Sequence, residues 1–298
     1  MISYDYYRVF YYVCKYENFT KAAHVLMTSQ SSISHTIQNL EHQLGCRLFV
    51  RGNRGISLTP EGEQLYAYVS VGCEHLLKGE TALLQSVSLE GGIIYLGTTE
   101  TALHCYLFVA LEAFRQRYPK VKLQIHNYTT KDAIQALKNG VVDLVVAPTP
   151  FDLYQSMKTQ ALCSFQDILI VGSSYSHLKD QTLSLKDLES YPLISFPQGT
   201  KSRDFMEDIY QKHNLFFSPM IESATSDLIL PMVKHNLGIG FLPEAIAKDA
   251  ITKGEVYQIS VSEEIPSRNI NLIYDSQLPQ SFASKELIQY LLSTNTSK

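Results

Sequence analysis

The chain has 298 residues, more than one compact domain usually holds, so we expect at least two hydrophobic cores. Hydrophobic residues make up 45% of the sequence and charged residues 18%, a balance that excludes an intrinsically disordered protein. The formal net charge is −4, yet residues 1–60 carry six Lys/Arg and three Asp/Glu, so only this basic segment is expected to meet a polyanion.

The sequence also indicates in which cellular compartment the protein works. The first residues contain no basic segment followed by an apolar one, and no apolar run reaches the roughly 18 residues that span a bilayer, so we expect a cytoplasmic protein with no membrane contact. The five cysteines form no CxxC pair and have no metal-ligand spacing. We interpret them as mostly buried hydrophobic residues, with a thiol redox switch as the alternative, and we expect neither a metal nor a cofactor.

Three helices are predicted in the first 45 residues. Apolar side chains recur at three- and four-residue steps from Tyr4 to Tyr16, the pattern of an amphipathic helix. Thr20 is predicted to cap a short second helix over residues 21–26. Four apolar residues then share one face of a third helix, which Gly45 is expected to end.

The opposite side of the third helix carries short hydrogen-bonding side chains rather than the Glu/Lys mixture of an ordinary solvated surface. This composition suits the reading of base edges in a major groove of DNA. The residues we expect to contact DNA from this helix are Gln30, Ser31, Ser34, His35 and Gln38. A solvated helix face is the alternative.

Two short strands follow, and the turn between them carries Arg51 and Arg54. We expect these cations to contact phosphates or the minor groove, as the wing of a DNA-binding domain does. A plain surface hairpin is the alternative.

A long helix is predicted from Thr59-Pro60 to about Ser88, because Thr59 can cap its first turn and proline suits its first position. A rod on the order of 40 Å at 1.5 Å per residue needs a partner for its apolar stripe, and we expect the same helix of a second copy to supply it. The stripe consists of Leu65, Val69, Leu76, Leu83 and Val87. Glu90-Gly91-Gly92 is expected to be a hinge.

Beyond Gly92, short apolar strands alternate with helices, a pattern typical of βαβ units and a mostly parallel sheet. Two such sets predict a two-lobed α/β region with a ligand cleft between the lobes. The expected domains are residues 1–59 for a winged helix-turn-helix, 60–90 for a linker helix and hinge, and 91–298 for the two-lobed region, with lobe I at about 91–163 and 267–298 and lobe II at about 164–266.

Three strand-to-helix turns in this region are rich in Thr and Ser, and helix ends that meet in one cleft favour a carboxylate or another small anion. The candidate effector-binding residues are Thr99, Thr101, Thr130, Gln198, Thr200 and Ser202, with Lys201 as a charge partner. Glu100 counts against a strongly anionic ligand unless it faces away or pairs with an amino group. Helix capping alone is the alternative for each residue.

Catalytic patterns are missing from the sequence. It contains no GxSxG, HExxH, Walker A or GxGxxG motif, and its histidines are scattered. We therefore expect no enzymatic activity.

The N-terminal segment resembles that of the LysR-type transcriptional regulators. The matching residues are Asn18-Phe19-Thr20-Lys21-Ala22-Ala23, Leu26, Ser29-Gln30-Ser31-Ser32-Ile33-Ser34, Ile37, Leu40-Glu41, Leu44-Gly45, Leu48-Phe49, Arg51, Leu58-Thr59 and Gly62. So many matches at fixed spacing form a specific signal. Ser31 stands where many members have proline and His35 where many have arginine, so the base preference at His35 does not transfer.

The resemblance implies an α/β chain with an N-terminal winged helix-turn-helix, a long linker helix and a two-lobed effector domain similar to periplasmic solute-binding proteins. It also implies a dimeric or tetrameric regulator whose promoter binding changes when a small molecule binds between the lobes. The implied partners are double-stranded promoter DNA, the effector and further copies of the chain, with RNA polymerase as an additional candidate. The alternatives are a two-lobed enzyme or transport accessory with a helical partner-binding module, and a regulator whose cleft has lost its ligand.

Overall fold

The computed structural model describes residues 2–52, 55–87 and 92–295. The chain divides into two compact units, Met1–Val87 and Ser88–Lys298. Arg54 and the Glu90-Gly91 part of the expected hinge lie outside the described residues. Over the described ranges, every helix is too short or too polar to cross a bilayer.

The first unit is built from helices and one hairpin. Its elements in chain order are α1 (Tyr4–Tyr16), α2 (Phe19–Val25), α3 (Gln30–Leu44), β1 (Phe49–Gly52), β2 (Gly55–Leu58) and α4 (Pro60–Val87). The expectation of Thr20 as the cap of α2 was wrong, because that helix begins at Phe19, whose ring is buried in the core. Asn18 is the cap instead, and its side chain accepts the Lys21 N–H at 2.9 Å.

Helices α1, α2 and α3 enclose the apolar core of the first unit. The periodicity of α3 correctly places Ile33, Ile37 and Leu40 inside, whereas Leu44 at its end is 37% exposed. The rings of Phe10 and Phe49 lie 5.4 Å apart, so the hairpin also contributes to this core. One face of α3 is thereby fixed against the core, and the other is left to solvent.

A buried carboxylate joins the end of α3 to the hairpin. Glu41 is 7% exposed, and its Oε1 accepts the backbone N–H groups of Leu48 at 2.8 Å and Phe49 at 3.3 Å. Its Oε2 also accepts a hydrogen bond from Arg47 at 3.0 Å, but the Arg47 side chain is 79% exposed. Since an exposed ion pair contributes little, the two backbone hydrogen bonds dominate this contact.

The start of α4 is fixed to the same hairpin. The Thr59 hydroxyl accepts the Gly62 N–H at 3.0 Å, as predicted, and donates to the Arg47 carbonyl at 2.7 Å. A Cβ at Gly62 would lie 2.2 Å from the Leu48 carbonyl oxygen, so a glycine is required for this close approach.

The predicted stripe of α4 is only partly free. Leu65 and Val69 pack against the core of the first unit, so the expectation that the whole stripe lacks an intramolecular partner was wrong. Leu76 is 52% exposed. The side chains of Leu83 and Val87 lie outside what the structure describes.

The second unit contains two sheets with flanking helices. Its strands are β3 (Ile93–Thr98), β4 (Lys122–Asn127), β5 (Leu144–Pro148), β6 (Met157–Phe165), β7 (Asp167–Val171), β8 (Thr182–Leu183), β9 (Leu193–Ser195), β10 (Ile221–Glu222), β11 (Ile239–Pro243), β12 (Tyr257–Val261) and β13 (Arg268–Asp275). Its α-helices are α5 (Glu100–Ala102), α6 (Phe108–Arg117), α7 (Thr130–Lys138), α8 (Lys201–Lys212), α9 (Ser226–Lys234), α10 (Glu244–Thr252) and α11 (Phe282–Asn295). A π-helical turn, Leu103–Leu107, joins α5 to α6.

Each sheet forms a lobe. The first lobe has the strand order β4-β3-β5-β13-β6 and packs α6, α7 and α11 against its sheet. The second lobe has the order β10-β9-β11-β7-β12-β8 and packs α8, α9 and α10. Both sheets are mixed, because β13 pairs antiparallel with β5 and β6, and β7 pairs antiparallel with β11 and β12. Among the described strands of this unit, five of the nine pairings are parallel, so the expectation of a mostly parallel sheet holds only by a narrow margin.

The chain passes between the lobes at two points that are bound to each other. The first lies between the end of β6 and Asp167, and the second lies between the end of β12 and Arg268. Arg268 Nη1 is 3.1 Å from Asp167 Oδ2, and both side chains are more than nine-tenths buried. Burial raises the pKa of the Asp167 carboxyl, and the guanidinium opposes that shift.

The Glu41 contact gives a first prediction. Glu41→Ala leaves two N–H groups of the hairpin without an acceptor, so it should destabilise the hairpin by about 1–3 kcal/mol. The peptide that contains Leu48 and Phe49 should then exchange its amide hydrogens faster, as measured by mass spectrometry on the full-length protein.

Arg47→Ala is the matched control, since it removes only the exposed partner and should change stability by about 1 kcal/mol or less. Equal hydrogen exchange in the two variants would contradict the assignment of Glu41 as the link.

Candidate functional site

The exposed side of α3 is polar along its length. Gln30, Ser31, His35 and Gln38 are exposed, and Ser34 is partly exposed. These five side chains, called the reading face below, present hydroxyl, amide and imidazole groups to solvent. They are groups that can form hydrogen bonds with base edges in a major groove.

Hydrogen bonds along the helix involve three members of the reading face. The Gln30 amide donates to Ser34 Oγ at 3.4 Å, and Asn39 Nδ2 lies 3.1 Å from His35 Nδ1. Both pairs are four residues apart and thus neighbours on the helix surface. Side chains that are already oriented lose less entropy when they bind.

The hairpin next to α3 has the form of a wing. β1 and β2 pair antiparallel, with Phe49 opposite Leu58 and Gly52 opposite Gly55. Arg51 belongs to β1, opposite Ile56. The expected phosphate contacts of Arg51 and Arg54 stay predictions.

In the second unit, a cavity of about 270 Å³ is lined by residues of both lobes. The lining segments of the first lobe lie at or just after the ends of β3, β4 and β5, and those of the second lobe follow β9 and β10. The carboxyl ends of parallel strands are the place where α/β sheets bind ligands. This space is called the interlobe cavity below.

Five of the six expected effector residues line the interlobe cavity. They are Thr99, Thr101, Thr130, Thr200 and Ser202. Gln198 does not line it and is exposed, because the chain turns at Gly199, whose φ is +81°, before α8 begins. Separate strand-to-helix turns thus meet in one place.

Helix capping already uses two of these hydroxyls, those of Thr99 and Thr200, and also that of the neighbouring Thr129. Those of Thr99, Thr129 and Thr200 each accept a hydrogen bond from the backbone N–H three residues later, at 3.2, 3.2 and 3.3 Å. Thr200 also donates to a backbone carbonyl at 3.0 Å. Thr101 and Thr130 lie in the first turns of their helices and are buried.

The start of α9 differs from the other helix starts. Thr225 occupies the cap position, but its side chain makes no capping hydrogen bond. Ser226 lines the cavity and is 1% exposed, and its hydroxyl has no hydrogen-bond partner among the described residues. A buried hydroxyl without a partner costs folding free energy, so a ligand that satisfied it would gain affinity.

The hydroxyl of Ser202 already accepts a hydrogen bond. Its Oγ accepts a hydrogen bond from Arg268 Nη2 at 3.2 Å. Because a hydroxyl carries a single proton, that proton is directed away from the guanidinium and can be donated to an acceptor in the cavity.

Both signs of charge occur in the cavity wall. Lys201 Nζ lies 2.8 Å from Asp152 and 3.8 Å from Asp204, and the hydrogen bond to Asp152 raises the pKa of Lys201. On the first lobe, Glu100 accepts a hydrogen bond from the Asn127 amide. The lobes also touch next to Ser226. There, His104 of the first lobe contacts Asp227 of the second, with Nε2 2.9 Å from Oδ1.

The five cysteines are free thiols of limited exposure. Cys73 is buried and the other four are partly buried, all of them free thiols. Burial raises the pKa of Cys14 and that of Cys105 to about 12, which keeps them protonated and weakly nucleophilic. Within the described residues, no three His, Cys, Asp or Glu side chains are grouped to hold a metal ion.

Comparison with protein families identifies the chain. The profile described as "Bacterial regulatory helix-turn-helix protein, lysR family" matches residues 4–63, and the profile described as "LysR substrate binding domain" matches residues 88–295. The chain belongs to the LysR family. It is thus a DNA-binding transcriptional regulator with an effector-binding domain, and not an enzyme.

Individual relatives agree with this assignment. The HTH-type transcriptional regulator YofA of Bacillus velezensis is 28% identical over 284 residues, which cover 95% of this chain and 96% of that protein. The HTH-type transcriptional regulator cbl of Escherichia coli is 28% identical over 232 residues, covering 76% and 72%.

Solved structures confirm the expected fold. CbnR, a LysR family transcriptional regulator, matches with a TM-score of 0.75 at 17% identity, over 98% of this chain and 99% of its own. Full-length CbnR complexed with its target DNA gives 0.74 at 18% identity, with the same coverage. A helix-turn-helix followed by a two-lobed α/β domain is the shared architecture.

The reading face gives the second prediction. Gln30→Ala should lower affinity for a specific site, selected from random DNA, by about 1–3 kcal/mol, because a bidentate contact with adenine would be lost. Its affinity for random DNA should stay unchanged, whereas Arg51→Ala should weaken binding to both. Gel-shift titrations with the two DNAs would measure each affinity.

Gln116→Ala on α6 removes the same exposed side chain from a helix of the other unit, so it should leave both affinities unchanged. Equal losses on specific and random DNA for Gln30→Ala would refute a role in base reading.

Proposed function

We propose that this regulator binds a promoter through the reading face of α3 and the β1–β2 wing, and that a small carboxylate-bearing metabolite in the interlobe cavity changes this binding. The observation that carries the effector half is the buried, unpartnered hydroxyl of Ser226 in the cavity wall. The DNA half is supported by the family and by the shared fold of CbnR, which was solved on its target DNA.

The donors around the interlobe cavity favour a carboxylate. Helices α7, α8 and α9 begin at its wall, and the first turn of an α-helix presents N–H groups and a partial positive charge. The protons of Ser202 and Ser226 are free to be donated, since neither hydroxyl donates to another described group. A carboxylate accepts several such hydrogen bonds at once.

The size of the cavity limits the effector. Pockets for drug-sized ligands occupy about 300–1,000 Å³, and the interlobe cavity has about 270 Å³. A metabolite of few carbon atoms therefore fits better than a cofactor or a nucleotide.

Self-association is proposed to occur through α4. Apart from the side chains that pack on the core of its own unit, this helix exposes Tyr68 by 76%, Leu76 by 52% and Leu77 by 37%. A second α4 would cover these side chains, and two α3 helices related by a two-fold axis would read an inverted repeat.

The third prediction tests this contact. Leu76→Asp should raise the dimer dissociation constant at least about 100-fold, because burying an unpaired carboxylate is strongly unfavourable. Sedimentation velocity over a concentration series measures it.

Leu237→Asp is the matched control, since Leu237 is also 52% exposed but lies in the second unit. If the Leu76 variant sedimented as an intact dimer, α4 would be excluded as the main contact.

The fourth prediction concerns the effector. Full-length protein screened by thermal shift against carboxylic acids of two to six carbons, with and without other functional groups, should show specific stabilisation. Ser226→Ala should then weaken the best of them at least about tenfold by calorimetry, because a hydrogen bond to a charged group contributes about 1.5–3 kcal/mol. Thr101→Val should weaken binding as well, while ligand-free DNA affinity stays the same in both.

Ser223→Ala provides the contrast. The Ser223 hydroxyl is buried outside the cavity and donates to the Thr225 carbonyl at 3.0 Å, so its loss should lower stability and spare ligand affinity. Unaltered affinity in both the Ser226 and Thr101 variants would mean that the effector binds elsewhere.

A further inference from the structure

The charged side chains in the cavity wall carry a net negative charge. Among the described lining residues they are Glu100, Asp132 and Lys201. Lys201 is already paired with Asp152 and Asp204, neither of which lines the cavity. A ligand that brought only a carboxylate would add a further negative charge near two others, which is unfavourable at short range.

The two lobes contribute different sets of groups to the cavity wall. The second lobe supplies donors, namely the starts of α8 and α9 with the hydroxyls of Ser202 and Ser226. The first lobe supplies the acceptors, Glu100 and Asp132. Both carboxylates of the cavity wall therefore belong to the first lobe, whereas the two hydroxyls with undonated protons belong to the second.

Glu100 is the less occupied of the two acids. Asn127, the last residue of β4, donates to its Oε1. No described group donates to Oε2, which can accept a hydrogen bond from a ligand. The Asp132 carboxylate accepts from the Thr129 hydroxyl at 2.7 Å and belongs to an exposed residue at the rim.

We infer that the effector is a small amino acid, whose carboxylate binds the donors of the second lobe and whose ammonium group binds Glu100 on the first. This inference rests on the proposed function of the interlobe cavity and names the ligand class. An ammonium group neutralises the charge that a carboxylate adds, and it donates three hydrogen bonds. Because its two charged groups bind different lobes, such a ligand holds the lobes together.

The test compares amino acids with their own fragments on the full-length protein. The probes are the common amino acids, each paired with the acid that lacks the amino group, such as alanine with propionate, aspartate with succinate and glutamate with glutarate. At least one amino acid should raise Tm, and calorimetry should find its deaminated acid at least tenfold weaker.

Glu100→Gln then assigns the ammonium site. Glutamine keeps the acceptor for Asn127 but removes the charge, so affinity for the amino acid should fall at least tenfold, while that for the deaminated acid should hold or rise. Glu112→Gln, an exposed acid of α6 outside the cavity, should change neither. The Tm of each ligand-free variant reports whether the fold is intact.

The outcomes separate the two proposals. A deaminated acid that binds as tightly as its amino acid would overturn this inference and leave the carboxylate proposal standing. Amino-acid binding that Glu100→Gln does not weaken would overturn the assignment of the ammonium site. Failure of every amino acid and every deaminated acid would count against both proposals.

Discussion

The guanidinium of Arg268 is buried where the chain passes between the lobes of the effector domain. Arg268 begins β13 and Asp167 begins β7, so their ion pair ties one crossing to the other. The rings of Phe165 and Phe205 lie 5.2 and 4.8 Å from the guanidinium carbon and shield the pair from water. Each of these charges is costly to bury without its partner, so this edge of the two lobes is held in one arrangement.

The same guanidinium reaches the cavity wall. One of its nitrogens donates to Ser202, and another donates to the Thr149 carbonyl at 2.6 Å, next to the end of β5. The hydroxyl that is available to a ligand is therefore oriented by the residue that fixes the crossings. One side chain thus binds Thr149 of the first lobe and Ser202 of the second, so it holds these two segments near each other.

The sequence predicts the parts of this protein that depend on local pattern. Apolar periodicity locates α3 and the strands that begin each βαβ unit, and Thr59 correctly marks the start of α4. β6 and β13 were not predicted, because they pair with strands distant in sequence, and β6 lies at a sheet edge where polar residues such as Lys158 and Gln160 interrupt the apolar pattern. Ser226 was missed for a related reason. Thr225-Ser226 has the composition of an ordinary helix cap, and only the folded chain shows that neither hydroxyl is used as one.

The lobes are held together more strongly at the two crossings of the chain than elsewhere. At the crossings the ion pair is buried, whereas two other ion pairs between the lobes, His104 with Asp227 and Lys201 with Asp152, involve partly or largely exposed side chains. Exposed pairs contribute about 0–1 kcal/mol each, so they hold the lobes only weakly. A ligand shifts such an equilibrium only by its difference in affinity for the two states. A molecule that contacts both walls of the interlobe cavity has that difference, because separating the lobes breaks one set of its contacts.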